Sequence, residues 1–181
     1  MAILTVGHSH RAPDDFLDLL AGAGVQVLVD VRRHPGSRRH PHFNRGNLQK
    51  ALADRGIEYL WRGEAMGGRR AAIAGSGHAG LRSGVMRAYA EQMQSDAFTS
   101  TAAEVEALAA SRRVALMCAE RLPEHCHRSL IADFFVLKGT PVEHLIDAGF
   151  TKAHEPHPQA RRRGRGVMYE TRSQMALDLD G

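Results

Sequence analysis

The sequence predicts an α/β fold in which a mostly parallel sheet carries helices on both faces. Three observations lead there. Strand-like and helix-like segments alternate almost throughout. The clearest strand, Val25 to Val31, is almost continuously apolar, as a parallel strand covered on both faces should be. Three loops that follow strands carry polar clusters, and in a parallel sheet such loops leave from one edge.

Ile3 to Val6 reads as a short buried strand. Phe16, Leu17, Leu19 and Leu20 then recur at helical spacing after Pro13, and Gly22 and Gly24 mark the end of that helix. After the Val25 strand, Arg32 to Asn44 has no apolar period and contains Pro35, Gly36 and Pro41, so it reads as a loop. Asn47 to Arg55 predicts a helix stopped by Gly56, and Ile57 to Trp61 a third strand. Arg62 to Gly80 is rich in glycine and arginine without a period, which predicts a mobile loop over one edge of the domain. Two helices follow, over Leu81 to Met93 and Phe98 to Ala110. The strand Val114 to Met117, a polar turn, a helix from Ser129 to Leu137 and a last strand, Val142 to Ile146, complete the order. Residues 1–150 form one domain on this reading. Residues 151–181 form a basic, poorly packed tail with His154, His157 and the arginines from 161 to 165, in which Val167 to Tyr169 could make a short strand. The two histidines there look incidental.

The totals agree with one domain. A chain of 181 residues that is 43% hydrophobic can bury a core. Two cysteines make no disulfide framework, the start Met1 to Val6 is too short for a signal peptide, and no segment is long and apolar enough for a membrane span. The expectation is a cytoplasmic protein with reduced thiols and no membrane partner. The formal net charge is +4, from 24 Lys+Arg against 20 Asp+Glu, and the only lysines are Lys50, Lys138 and Lys152. Arginine holds planar anions in bidentate geometry, so a phosphate-bearing small molecule or nucleic acid is the expected partner, against the alternative of a solvated surface.

The polar clusters are Gly7 to His10 after the first strand, Asp30 to Arg38 after the second, and Cys118 to Arg128 after the fourth. Arg32, Arg38 and Arg128, with hydroxyls from Ser9 and Ser37 and close backbone approach at Gly7, would make an anion pocket, helped by free N–H groups at the helix start. Asp30 lies inside an apolar strand, where a carboxylate is costly unless paired. It either pairs with an arginine or orients a ribose hydroxyl or a catalytic histidine. If the strand persists past Cys118, Glu120 shares its side and could serve as general base or nucleophile, or could neutralise Arg128 or Arg32. His8, His34 and His127 are candidate acids or bases, His127 being the best placed. Cys126 is spaced to pack on the sheet with Leu130 and Phe134, and Cys118 ends a core strand. Both read first as packing residues, although a thiolate at the helix start near arginine, where Cys126 lies, would have a lowered pKa. The spacing Cys-x7-Cys-His fits no common zinc pattern, and Glu124 stands where the phosphatase pattern Cys-x5-Arg needs arginine. No metal and no cofactor is therefore assigned.

These blocks resemble the domain of unknown function 488 family. Val6, Gly7, His8 and Ser9 resemble its opening Thr-(Ile/Val)-Gly-His-Ser. Asp30, Arg32, Pro35, Ser37 and Arg38, then Phe43 and Leu48, resemble its second block, and Gly56 to Tyr59 with Met66, Gly67 and Gly68 its third. Leu116 to Glu120 with Cys126, His127 and Arg128 is the most diagnostic block. Met66 departs from the leucine usual in the family. The resemblance implies a Rossmann-like three-layer sandwich. It implies a shared site of Gly7, His8, Ser9, Asp30, Arg32, Ser37, Arg38, Cys118, Glu120, Cys126, His127 and Arg128, and it supplies no activity. The leading expectation is an enzyme that hydrolyses or transfers at a phosphate-bearing nucleotide or nucleic acid. Glu120 with His8 or His127 would do the chemistry, under the 62–80 loop as a lid. The alternatives are a non-catalytic binding module and a thiol-dependent enzyme. Oligomeric state is left open.

Overall fold

The computed structural model describes residues 1–68, 70–71 and 75–171, with the side chain of residue 125 outside the description. Its centre is a six-stranded sheet built from β1 (Ile3–Gly7), β2 (Val27–Asp30), β3 (Glu58–Trp61), β4 (Val114–Cys118), β5 (Val142–Asp147) and β6 (Phe150–Ala153), in the order β3-β2-β4-β1-β5-β6. Strands β1 to β5 are parallel, and β6 returns antiparallel along β5. The helices are α1 (Pro13–Gly22), α2 (Arg45–Ala53), a single turn α3 (Gly63–Met66), α4 (Gly84–Gln92), α5 (Asp96–Ala109) and α6 (Arg128–Leu137). This is the Rossmann-like three-layer sandwich that the sequence implied. No described helix is long and apolar enough to cross a membrane.

The strands alternate faces, so each half of their apolar residues packs on a different helix layer. Leu4, Val6, Leu28, Ala115 and Met117 meet Phe16, Leu20, Leu48 and Leu52 of α1 and α2. Ile3, Val27, Val29, Leu116 and Cys118 meet Phe98, Val105, Ile131 and Phe134 of α5 and α6. The chain therefore leaves β1 and β2 toward one face and leaves β4, which lies between them, toward the other. That reversal opens the edge of the sheet at the end of β4, where ligands of open α/β sheets bind.

Several boundaries differ from expectation, each for a local reason. The Val25 strand starts at Val27, because Gly24 turns through a left-handed φ of 68° and the Val25 N–H returns to Leu20. Helices α4 and α5 start at Ser83 and Ser95 caps, whose hydroxyls accept the N–H of Met86 and Phe98. The 62–80 segment contains α3 and buries Met66 and His78, so its described residues are anchored more firmly than a mobile loop. The rest of that loop expectation, at residues 69 and 72–74, lies outside the described residues.

The expected loose tail is the largest correction. After β6, β7 (Ala160–Arg163) and β8 (Gly166–Tyr169) form an antiparallel hairpin whose Ala160, Val167 and Tyr169 pack with α6 in the core. The arginine run hid this strand because Arg161, Arg162 and Arg163 stay exposed on the ribbon. The remainder of the expected tail, residues 172–181, lies outside the described residues.

Candidate functional site

The three polar loops do converge. The His8 N–H donates to the Cys118 carbonyl at 3.1 Å, the Ser9 N–H to Ala119 at 2.8 Å, and the Val31 N–H to Met117 at 3.0 Å. Gly7 allows this closure, since a Cβ there would lie 1.8 Å from the Glu120 carbonyl oxygen. The close approach foreseen at Gly7 is thus to the protein's own backbone. Ser9 sits at a left-handed φ of 50°, and its hydroxyl meets His10 Nδ1 at 3.1 Å.

Around β2 the polar groups satisfy one another. Asp30 is fully buried and accepts four hydrogen bonds. They come from the Arg32 N–H (3.0 Å), Nε (2.9 Å) and NH2 (2.6 Å), and from the Tyr59 hydroxyl (2.7 Å). Arg32 also donates from NH2 to the Phe43 carbonyl at 2.9 Å and from NH1 to His8 Nε2 at 3.1 Å. Of the open readings of Asp30, the structure shows the ion pair with an arginine, and that arginine in turn contacts His8. His8 stacks on Phe43 and gives its Nδ1 proton to the Ser9 carbonyl at 2.8 Å. Burial, then the Arg32 charge, lowers its pKa to about 4, so it is neutral near pH 7. Arg32 is thus committed to the scaffold. Ser37 accepts the His40 N–H at 3.0 Å within its own loop, and Arg38 and His34 lie exposed at the surface.

The turn after β4 is arranged differently. The strand ends at Cys118, so the alternation invoked for Glu120 stops before it. The Glu120 side chain is exposed and makes no hydrogen bond or ion pair among the described residues, neutralising neither Arg128 nor Arg32. Cys118 and Cys126 are both buried, with their sulfurs 2.9 Å apart. The expected free N–H groups at the start of α6 are already engaged. Those of Arg128 and Ser129 go to the Cys126 sulfur (3.5 Å) and carbonyl (3.0 Å), and that of Leu130 goes to the His127 carbonyl (3.1 Å).

His127 packs edge-on against Tyr89 and places Nδ1 3.4 Å from the Cys126 sulfur. Its Nε2 is buried and finds no partner at hydrogen-bonding geometry among the described residues. Burial lowers its pKa to about 4; the Val31 backbone opposes the shift, while Arg128 and Arg70 add to it. Arg128 is only 1% exposed. Its NH2 donates to the Arg121 carbonyl at 3.0 Å, but Nε and NH1 are buried without partners, and no described carboxylate pairs with it.

Two features escaped the sequence reading. Arg33 and Arg70 stand beside the same turn. A Cβ on Gly67 would strike Arg33 and one on Gly68 would lie 2.8 Å from His127 Nδ1, so both glycines are needed for this packing. Arg70 bonds only the carbonyls of Gly67 (3.0 Å) and Glu64 (2.6 Å), and Arg33 makes no hydrogen bond or ion pair among the described residues. The second feature is a buried chain under α6. Asp133 accepts from His154 Nε2 (2.8 Å), from the His157 N–H (2.8 Å) and from the Tyr169 hydroxyl (2.7 Å). His154 Nδ1 then accepts from His144 Nε2 (2.9 Å), and His144 Nδ1 from the Thr5 hydroxyl (2.6 Å). His154 and His157 are therefore structural partners and not incidental. Asp133, a carboxylate between Leu130 and Phe134 on an apolar helix, was the signal that could have found them.

The family model described as domain of unknown function DUF488 matches residues 12–135, from just before α1 to within α6. That span takes in the blocks at Asp30 and Cys118 and leaves Gly7 to Ser9 outside. No curated protein and no solved structure matches the chain.

Proposed function

The chain belongs to the family of the domain of unknown function DUF488, and from that premise we propose that it is a cytoplasmic enzyme acting on a phosphate-bearing nucleotide or nucleic-acid substrate by hydrolysis or transfer. One observation carries the reading: Arg128 is buried with Nε and NH1 unpartnered, and no carboxylate balances it, among the described residues. An unpaired buried cation is costly, and an anion in that place removes the cost. Arg33 and Arg70, which also lack carboxylate partners, extend the positive surface around Gly67 and Gly68. Phosphate accepts several N–H donors at once, so it suits a guanidinium with two nitrogens free.

The chemistry falls to the groups beside that anion. His127 is neutral near pH 7, as a general base or a hydrogen-bond acceptor must be, with the Val31 backbone beside its ring. Glu120 supplies an exposed carboxylate on the same turn. Arg32 and His8 leave the direct contacts and become the frame that holds the Gly7 to Ser9 loop against the turn. The short helix α3 and the Gly67–Gly68 turn, which packs against the neighbouring His127, are the part of the 62–80 segment that would move for a ligand to enter beside that histidine.

The test compares the native protein with Arg128→Met and Glu120→Gln on nucleoside monophosphates and short single-stranded oligonucleotides. We expect binding by the native protein that weakens as salt rises. Arg128→Met should bind at least ~10-fold more weakly, the loss of one charge-assisted contact. Glu120→Gln should bind normally and turn over more slowly. Equal binding by Arg128→Met would overturn the phosphate reading. Normal binding with no turnover in any protein would leave a binding module in its place.

A further inference from the structure

Cys118 closes β4 and Cys126 lies just before α6, eight residues later, yet their sulfurs are 2.9 Å apart. That is closer than two sulfurs need to be to fill core volume, and a shift of roughly 1 Å would bring them to bonding distance. The surroundings are polar in a way that packing alone does not require. The Arg128 N–H points at the Cys126 sulfur at 3.5 Å and His127 Nδ1 lies 3.4 Å from it. The Arg128 guanidinium is buried nearby without a carboxylate, so a thiolate is an available counter-charge. Burial pushes the Cys118 thiol up, but the hydrogen bond from the Cys126 S–H and the Arg128 charge outweigh it and leave Cys118 below its ordinary value. Cys126, which gives that hydrogen bond, is pushed up. Cys118 is therefore the easier of the two to ionise, and Cys126, whose S–H points at it, is the one that keeps its proton.

We propose that Cys118 and Cys126 are a redox-active dithiol that a hydroperoxide oxidises to a disulfide. The Cys118 thiolate attacks a peroxide oxygen, the O–O bond breaks, and Cys118 becomes a sulfenic acid. The leaving oxygen takes the Cys126 proton and departs as water or an alcohol. The Cys126 thiolate then attacks the Cys118 sulfur, the S–O bond breaks, and the hydroxide takes the proton that Cys118 had released to solvent. Two thiols lose two electrons, the hydroperoxide gains them, and a thiol reductant reverses the change. Burial restricts the oxidant: with Cys118 1% and Cys126 5% exposed, a bulky disulfide has no access, and the proposed oxidant is a small hydroperoxide. The inference stands apart from the phosphate reading, since neither its step nor its test involves that ligand.

The test exposes the full-length protein to hydrogen peroxide, then counts thiols after denaturation and weighs the intact chain. We expect both thiols to disappear, with a mass loss of about 2 Da that dithiothreitol reverses. In Cys126→Ser the reaction should stop at Cys118 sulfenic acid, about 16 Da heavier and captured by dimedone. Cys118→Ser should react at least ~10-fold more slowly than Cys126→Ser, because the remaining thiol keeps its proton. Two thiols still free after native exposure would overturn the proposal, and so would over-oxidation of one cysteine without the disulfide. Equal rates in the two variants would overturn the assignment of Cys118 as the attacking sulfur.

Discussion

Arg32 and Arg128 are buried in the same part of the molecule, one just past β2 and the other at the start of α6, and they are treated in opposite ways. Arg32 has a carboxylate, a carbonyl and an imidazole on its guanidinium, and Asp30 in return has all its acceptor positions filled. Among the described residues, Arg128 has a single carbonyl and two bare nitrogens. A closed ionic cluster is scaffold: it holds the chain in one geometry and has nothing left to offer a ligand. An open one carries a cost that folding alone does not explain, and that cost is what the proposed anion would remove. From sequence the two arginines looked alike, since each follows a strand in a polar loop.

Breaking the closed cluster should have the largest effect. Arg32→Met leaves the Asp30 carboxylate buried against only the residue-32 backbone N–H and the Tyr59 hydroxyl, with no counter-charge, and we expect a loss of roughly 3–5 kcal/mol in urea unfolding. Acid should act next. His8 and His127 have folded pKa values of about 4 and His144 of about 3, all below the value of ~6.5 for an unfolded histidine. Below pH 6.5 the unfolded chain binds protons that the folded chain refuses. Stability is thus fully present above about pH 6.5 and falls as pH drops toward 4, with a slope approaching three protons. A pH-stability curve flat from 7 to 4 would contradict these environments. Tyr59→Phe removes one hydrogen bond to the Asp30 carboxylate and should cost about 1.5–3 kcal/mol. Arg128→Met should change stability least, within about 1 kcal/mol or toward greater stability, because it removes a buried charge that no carboxylate among the described residues balances. A loss of several kcal/mol there would put Arg128 in the same class as Arg32.

Much of the fold was legible because it rests on periodicity. Val27 to Asp30 and Val114 to Cys118 are buried from end to end, and helices α1 and α6 carry their apolar residues at helical spacing. The convergence of the three loops followed from parallel strands alone. Saturation was not legible, because it depends on partners distant in sequence: nothing near Asp30 announces that Tyr59 will reach it, and nothing near Asp133 announces Tyr169. The strand at Val167 to Tyr169 was legible, but its partner β7 and their packing on α6 were missed, because the exposed arginines outweighed Ala160 in composition. Arg33 and Arg70 were missed because they become neighbours only where the Gly67–Gly68 turn packs against β2 and α6.

The most direct measurement is the thermal midpoint of the native protein and of Arg128→Met in inorganic phosphate and in chloride at equal ionic strength. If Arg128 anchors an anion, phosphate raises the native midpoint in a concentration-dependent way, as a ligand that binds only the folded state must, and leaves the variant unmoved. Equal shifts in both proteins, or none in either, would contradict an open anion site at Arg128.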